Sequence, residues 1–188
     1  ELLTVSLVAQ RNIQSNHVAE STALLEALCG DNSNKEEAAT ALRRRGFSEH
    51  AKMRLIISDS VKDAYRSDVR DKVFALAYDA GVPMVLGYIA GRTCVLTTQS
   101  GTEHKIAELL FGSVGLSDPF ESVEEGASAW RQALVAAVVV ERKHSLHMQS
   151  LEFAHCSAVE KAAAYLGKRD LDKAVGELDR AIHEVKNG

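Results

Sequence analysis

The 188-residue chain is 46% apolar with two prolines and twelve glycines, which excludes a disordered or low-complexity protein and leaves room for one domain with helical extensions. Twenty-two basic against twenty-six acidic side chains, a formal net charge of -4, offer no broad positive surface to replace the counterions of a phosphate backbone, so direct nucleic-acid binding by these residues is not expected. Cys29, Cys94 and Cys156 stand far apart with no C-x-x-C pair, which points to neither a disulfide framework nor a zinc finger and fits a reducing cytoplasm.

From Leu2 to Leu28 the apolar residues Leu3, Leu7, Val18, Leu24, Leu25 and Leu28 recur at three- and four-residue steps without a breaker, which predicts one long helix or two abutting ones. Gly30 and the polar run behind it stop that helix, Asn34 caps a second over Lys35 to Arg45, and Gly46 ends it. The basic run Arg43-Arg44-Arg45 then reads as solvated charge at a helix C-terminus, where cations complement the dipole. Lys52 to Ser58 has a β-branched apolar centre and predicts a buried strand. Val61, Tyr65, Val69, Val73, Phe74, Leu76 and Ala77 mark the stripe of a helix closed by Gly81-Val82-Pro83.

Met84 to Ile89 and Thr93 to Thr98 are β-rich runs separated by Ala90-Gly91-Arg92, the signature of a hairpin. A short amphipathic helix over 102–111 and a short strand over 113–117 come next. Ser122 then opens another helix, with Glu125 three residues on as a capping box and Trp130, Leu134, Ala137 and Val138 on one face. The resulting βαββαβ order is that of ferredoxin-like and nucleotide-cyclase-like α+β folds, with helices over a mainly antiparallel sheet. Ser145 to Phe153 reads as an edge strand, and 155–166 and 169–186 as a helical hairpin. The organisation expected is an N-terminal helical linker or dimerisation segment over 1–48, the α+β domain over 49–143 and an extension over 144–188.

Two stretches carry a resemblance. Ser21-Thr22-Ala23-Leu24-Leu25-Glu26-Ala27-Leu28-Cys29-Gly30-Asp31, followed by Leu42-Arg43-Arg44-Arg45-Gly46-Phe47, is one; Val114-Gly115-Leu116-Ser117-Asp118-Pro119-Phe120, running on through Trp130-Arg131-Gln132-Ala133-Leu134, is the other. Together, over about residues 20 to 140, they resemble the middle domain of PucR/CdaR-family bacterial transcriptional regulators. The resemblance implies a degenerate GGDEF-like fold, placed between an input domain and a C-terminal helix-turn-helix. No helix-turn-helix is found here, so DNA is expected as a partner only through a module outside this chain. The start at Glu1 rather than Met fits a piece of something longer.

Diguanylate cyclases share this architecture and need acidic residues at the hairpin and first strand to hold Mg²⁺ over a triphosphate. Their turn reads G-G-D/E-E-F, whereas Ala90-Gly91-Arg92-Thr93 carries no carboxylate and puts a cation where an acid is required. Asp59 alone stands near the first strand and reads as a turn cap. His144, His147, His155 and Cys156 form the densest metal-capable group without a second cluster to complete it, and Trp130, Phe74, Phe111 and Tyr88 occupy periodic positions expected in the core. The reading is therefore a non-enzymatic, cofactor-free regulatory segment of a cytoplasmic homodimer, with Leu3, Leu7, Leu24, Leu25 and Leu28 as the interface. The competing reading is a small-molecule sensor for a sugar acid or purine catabolite, with Arg92 or Arg131 reading an anion. No apolar run reaches the roughly 18 residues that span a bilayer, and no signal-peptide pattern opens the chain, so a membrane is not an expected partner.

Overall fold

Residues 17–31, 34–58, 67–143, 149–167 and 171–187 are described by a computed structural model. Helix α1 covers 17–29 and is followed by α2 (Lys35–Arg44), β1 (Met53–Ser58), α3 (Ser67–Asp79), β2 (Met84–Ile89) and β3 (Arg92–Thr98). Then come α4 (Thr102–Leu109), β4 (Val114–Leu116), α5 (Gly126–Arg142), β5 (Ser150–Glu152), α6 (Ala158–Gly167) and α7 (Leu171–Asn187). Among the described residues no helix is long and apolar enough to cross a membrane.

The sheet runs β2-β3-β1-β4-β5. β1 lies antiparallel between β3 and β4, and β2 and β3 form the expected hairpin. The βαββαβ order thus closes into the α+β sheet that the sequence indicates. The last strand departs from that expectation. β5 is only three residues long and pairs parallel with β4, from Val114↔Ser150 to Leu116↔Glu152.

All six residues of β1 are buried, because the sheet is covered on both faces. Met53, Leu55 and Ile57 pack with Leu24, Leu25 and Leu28 of α1, Leu42 of α2 and Ala133 of α5. The alternate residue Ile56 packs with Val69 and Val73 of α3 and with Ile106 and Ala107 of α4. A third cluster, including Val139, Phe153, Tyr165 and Ala174, joins the far side of α5 to α6 and α7. Arg54, on the same face of β1 as Ile56, is 5% exposed and pairs at 2.9 Å with Glu152 of β5, which also meets His104 Nε2 at 3.1 Å. That ion pair, between a buried arginine and a partly buried glutamate, ties the short edge strand to the centre of the sheet.

This packing corrects two expectations. The residues of 1–48 that are described form one layer of the shared core. Leu24, Leu25 and Leu28 are 6%, 0% and 0% exposed inside it, so the sheet itself covers the stripe read as a dimer interface. Leu3 and Leu7 lie outside the described residues. Phe74 and Phe111, expected in the core, are each 44% exposed, while Trp130 and Tyr88 are partly buried against it.

The helix ends follow local chemistry. Asn34 Oδ1 accepts from Glu37 N at 3.3 Å at the start of α2. At its end Phe47 N donates to Leu42 O at 3.2 Å and Gly46 N to Arg43 O at 3.1 Å, a Schellman closure with Gly46 at φ 91°. Lys35 Nζ reaches back to donate to the carbonyls of Ala27, Leu28 and Gly30 at 3.2, 2.7 and 2.7 Å, satisfying the open end of α1. The capping box placed at Ser122 and Glu125 does not form. Ser122 Oγ accepts from Glu124 N at 3.2 Å, a single 3₁₀ turn intervenes, and α5 begins at Gly126. A reciprocal box forms instead at α6, where Ser157 N donates to Glu160 Oε2 at 2.8 Å and Glu160 N to Ser157 Oγ at 3.3 Å.

The Gly115-Leu116-Ser117-Asp118-Pro119-Phe120 segment is structural. Ser117 N donates to Leu55 O at 2.9 Å and Ser117 Oγ accepts from Leu55 N at 3.0 Å. Met53 and Phe120 then exchange backbone bonds at 2.7 and 2.9 Å, so this segment keeps hold of β1 after β4 has ended. Asp118 N donates to Gln132 Oε1 at 3.1 Å, which fixes α5 over the same strands.

Candidate functional site

The β2–β3 turn is the hairpin that the sequence resemblance sets against the metal-holding turn of a cyclase. Ile89 pairs with Arg92, so the loop is the two residues Ala90 and Gly91, with φ 49° and 75°. Two left-handed residues in succession make the tight hairpin whose twist matches the flanking strands. Arg92 therefore opens β3 rather than belonging to the loop. No carboxylate stands on the turn or at its β3 end. At the neighbouring end of β1, Ser58 lies opposite Thr93; both are buried, and the Ser58 hydroxyl donates to the Phe111 carbonyl. Asp59 lies outside the described residues.

The other sequence-derived positions are dispersed. Arg131 Nη1 pairs with Asp31 Oδ1 at 3.1 Å across 100 residues, with both side chains well exposed at 41% and 72%; such a surface pair contributes little stability. His144 and His147 lie outside the described residues. His155 is exposed, whereas Cys156 is buried and its Sγ donates to Glu152 O at 3.7 Å. Burial, reinforced by the Glu160 carboxylate, pushes the Cys156 thiol up to about 11. Burial and the adjacent Cys29 likewise hold Cys94 well above the ordinary thiol value. Thiols in that condition are poor nucleophiles and poor metal ligands near neutral pH.

A cavity of about 580 Å³ opens instead between α1, α3 and the edge strand β2. Val18, Phe74, Met84 and Leu86 supply its apolar lining, and Arg45 and Arg70 its cations. Arg45 follows α2 directly; its Nη1 donates to Ser21 Oγ of α1 at 2.8 Å, and Ser21 is 8% exposed. Arg70, on α3, donates through Nε and Nη2 to Asp71 Oδ1 at 3.2 and 3.1 Å. The Arg45 and Arg70 side chains are 27% and 20% exposed, while the carboxylates facing them, Glu20 and Asp71, are 67% and 64% exposed. All four groups line the cavity, the guanidiniums as its more buried members and the carboxylates as its more exposed ones. Neither Arg92 nor Arg131 lines this cavity.

Sequence reasoning missed the site. Arg45 belongs to a run that reads as solvated charge, and nothing in the spacing of Arg70 marks it. The usable signal is Gly46: a Schellman turn folds the chain back and carries the preceding arginine under α1.

No family model matches the chain, and no curated protein matches it. Among solved structures, the chain is similar to a regulator of polyketide synthase expression from Bifidobacterium adolescentis, with a TM-score of 0.57 and 16% identity over 91% of this chain and 70% of that one. At that identity the likeness shows a shared fold.

Proposed function

We propose that this chain is a non-catalytic regulatory segment of a bacterial transcriptional regulator of the PucR/CdaR type. Its sheet is a degenerate GGDEF-like domain in a cytoplasmic homodimer, relaying a signal to a helix-turn-helix module outside these residues. The observation that carries the reading is the β2–β3 turn, where Ala90 and Gly91 close the hairpin tightly and Arg92 brings positive charge to the place a magnesium-holding acid would occupy. A triphosphate needs its charge offset there, and a guanidinium repels the metal that would do so. The likeness to a solved structure named as a regulator supports the same reading.

The test incubates purified protein with ATP or GTP and Mg²⁺ or Mn²⁺ and resolves products by chromatography. No cyclised or hydrolysed nucleotide is expected. Metal-dependent product that an Asp59→Ala variant no longer forms overturns the proposal. Sedimentation equilibrium tests the homodimer separately. With Leu24, Leu25 and Leu28 inside the core, association falls to other apolar surface, such as Val159 and Leu166 of α6 and Val175 and Leu178 of α7, each at least 40% exposed.

A further inference from the structure

We propose that the cavity between α1, α3 and β2 is a binding site for a small monocarboxylate with a compact apolar body, its carboxylate held by Arg45 and Arg70 and its body resting against Phe74, Met84 and Leu86. The proposal stands on the cavity and does not depend on the regulatory reading.

Three features define the ligand. The volume, about 580 Å³, falls within the range of small-molecule sites and far below that of a folded partner. The lining is chemically mixed: Val18, Phe74, Met84 and Leu86 present apolar surface, and Arg45 and Arg70 bring two guanidiniums from separate elements, accompanied by the carboxylates of Glu20 and Asp71 and by His17. A planar guanidinium fork matches a carboxylate with two parallel N–H···O bonds, which a lysine cannot do. The surrounding charge limits the ligand further. Among the described residues Arg45 and Arg70 are offset in number by Glu20 and Asp71, so this part of the lining holds no excess positive charge for a dianion such as a phosphate monoester. One carboxylate suffices to compete with Glu20, whose oxygen stands 4.0 Å from Arg45 Nη2 and is exposed to solvent.

The site is also prepared in advance. Ser21 holds Arg45 at 2.8 Å through Nη1, so a ligand finds that guanidinium already oriented. Phe74 explains itself here too. It is 44% exposed on an otherwise inward stripe of α3 because it borders open space, and a ring at the mouth of a cavity adds contact area at little conformational cost. A bound acid would bridge α1 to α3, two helices from opposite faces of the sheet.

The experiment uses the full chain and isothermal titration calorimetry with benzoate and hexanoate. Saturable binding of both is expected, weakened about tenfold or more by Arg70→Gln and by Arg70→Lys, because the lysine keeps the charge and loses the fork. Phe74→Ala, at an exposed position that leaves the core intact, is expected to weaken benzoate more than hexanoate. Benzyl alcohol and inorganic phosphate serve as probes of each half of the site. The proposal is overturned by absence of saturable heat for both acids up to about 10 mM, by benzyl alcohol or phosphate binding as tightly as benzoate, or by benzoate affinity unchanged in both Arg70 variants. Far-ultraviolet circular dichroism of each variant shows that a loss of binding is not a loss of fold.

Discussion

Gly115 and Ala133 stand in backbone contact: a Cβ added at Gly115 would lie 2.0 Å from the Ala133 carbonyl oxygen and 2.4 Å from Ala137 N. α5 therefore lies directly on β4, with no side chain between them, and neither partner can yield without breaking a helix or a strand. Gly115→Ala is expected to cost about 3 kcal/mol or more in urea unfolding. Gly176→Ala in α7, where a Cβ meets nothing within 4 Å, is the matching control and is expected to stabilise by about 0.5 to 1 kcal/mol.

Lys35 joins two helices through one ammonium. Its three bonds to Ala27, Leu28 and Gly30 satisfy carbonyls that the end of α1 leaves open. Lys35→Met keeps the aliphatic stem and removes the donors. A loss of about 1 to 2 kcal/mol is expected, measured by chemical denaturation; a change below about 0.3 kcal/mol would show that water satisfies these carbonyls equally well.

Ala90 adopts φ 49°, a conformation in which an L side chain crowds the following carbonyl. Ala90→Asn gives the Asn-Gly pair that tight hairpins favour, and it should raise stability by about 0.5 to 1 kcal/mol without altering the sheet. Thermal unfolding checks this directly.

The Glu160 carboxyl is depressed below its ordinary value of 4.5: partial burial works to raise it, but the Lys143 ammonium and the Ser157 N–H and hydroxyl outweigh that. A carboxyl that binds its proton more weakly when folded stabilises the fold above the unfolded value. That contribution is lost as pH falls through the depressed one. Glu160→Gln should therefore be less stable than the unaltered protein at neutral pH, with the gap closing below about pH 4. Urea midpoints across that range measure it, and a gap that persists unchanged in acid would place the effect in packing.

The parts of the fold set by neighbouring residues were legible in the sequence. Lys52 to Ser58, the hairpin around Gly91 and the closure at Gly46 depend on local propensity and turn chemistry, and each lies within a residue or two of its expected place. What covers an apolar face is not local. The stripe through Leu24, Leu25 and Leu28 suits a partner molecule or the chain's own sheet equally well, and only the packing of α1 across Gly87 and Cys94 decides for the sheet. Ser122 and Glu125 have the right spacing for a box, but Gly126 lets the helix start later and the serine turns to Glu124. The arginine cavity was illegible for the same reason on a larger scale, since Ser21, Arg45, Arg70 and Leu86 meet only once three elements have closed around β2.

α1 also settles the fate of the outermost strand. Gly87 has no side chain to hold the helix off, since a Cβ there would lie 2.8 Å from Thr22 N, and the Thr22 hydroxyl accepts the Tyr88 N–H at 3.0 Å. Left bare, a rim of that kind templates strands from other molecules and grows into fibres. One hydroxyl and one missing methyl thus seat α1 against that rim and occupy one of its outward N–H groups.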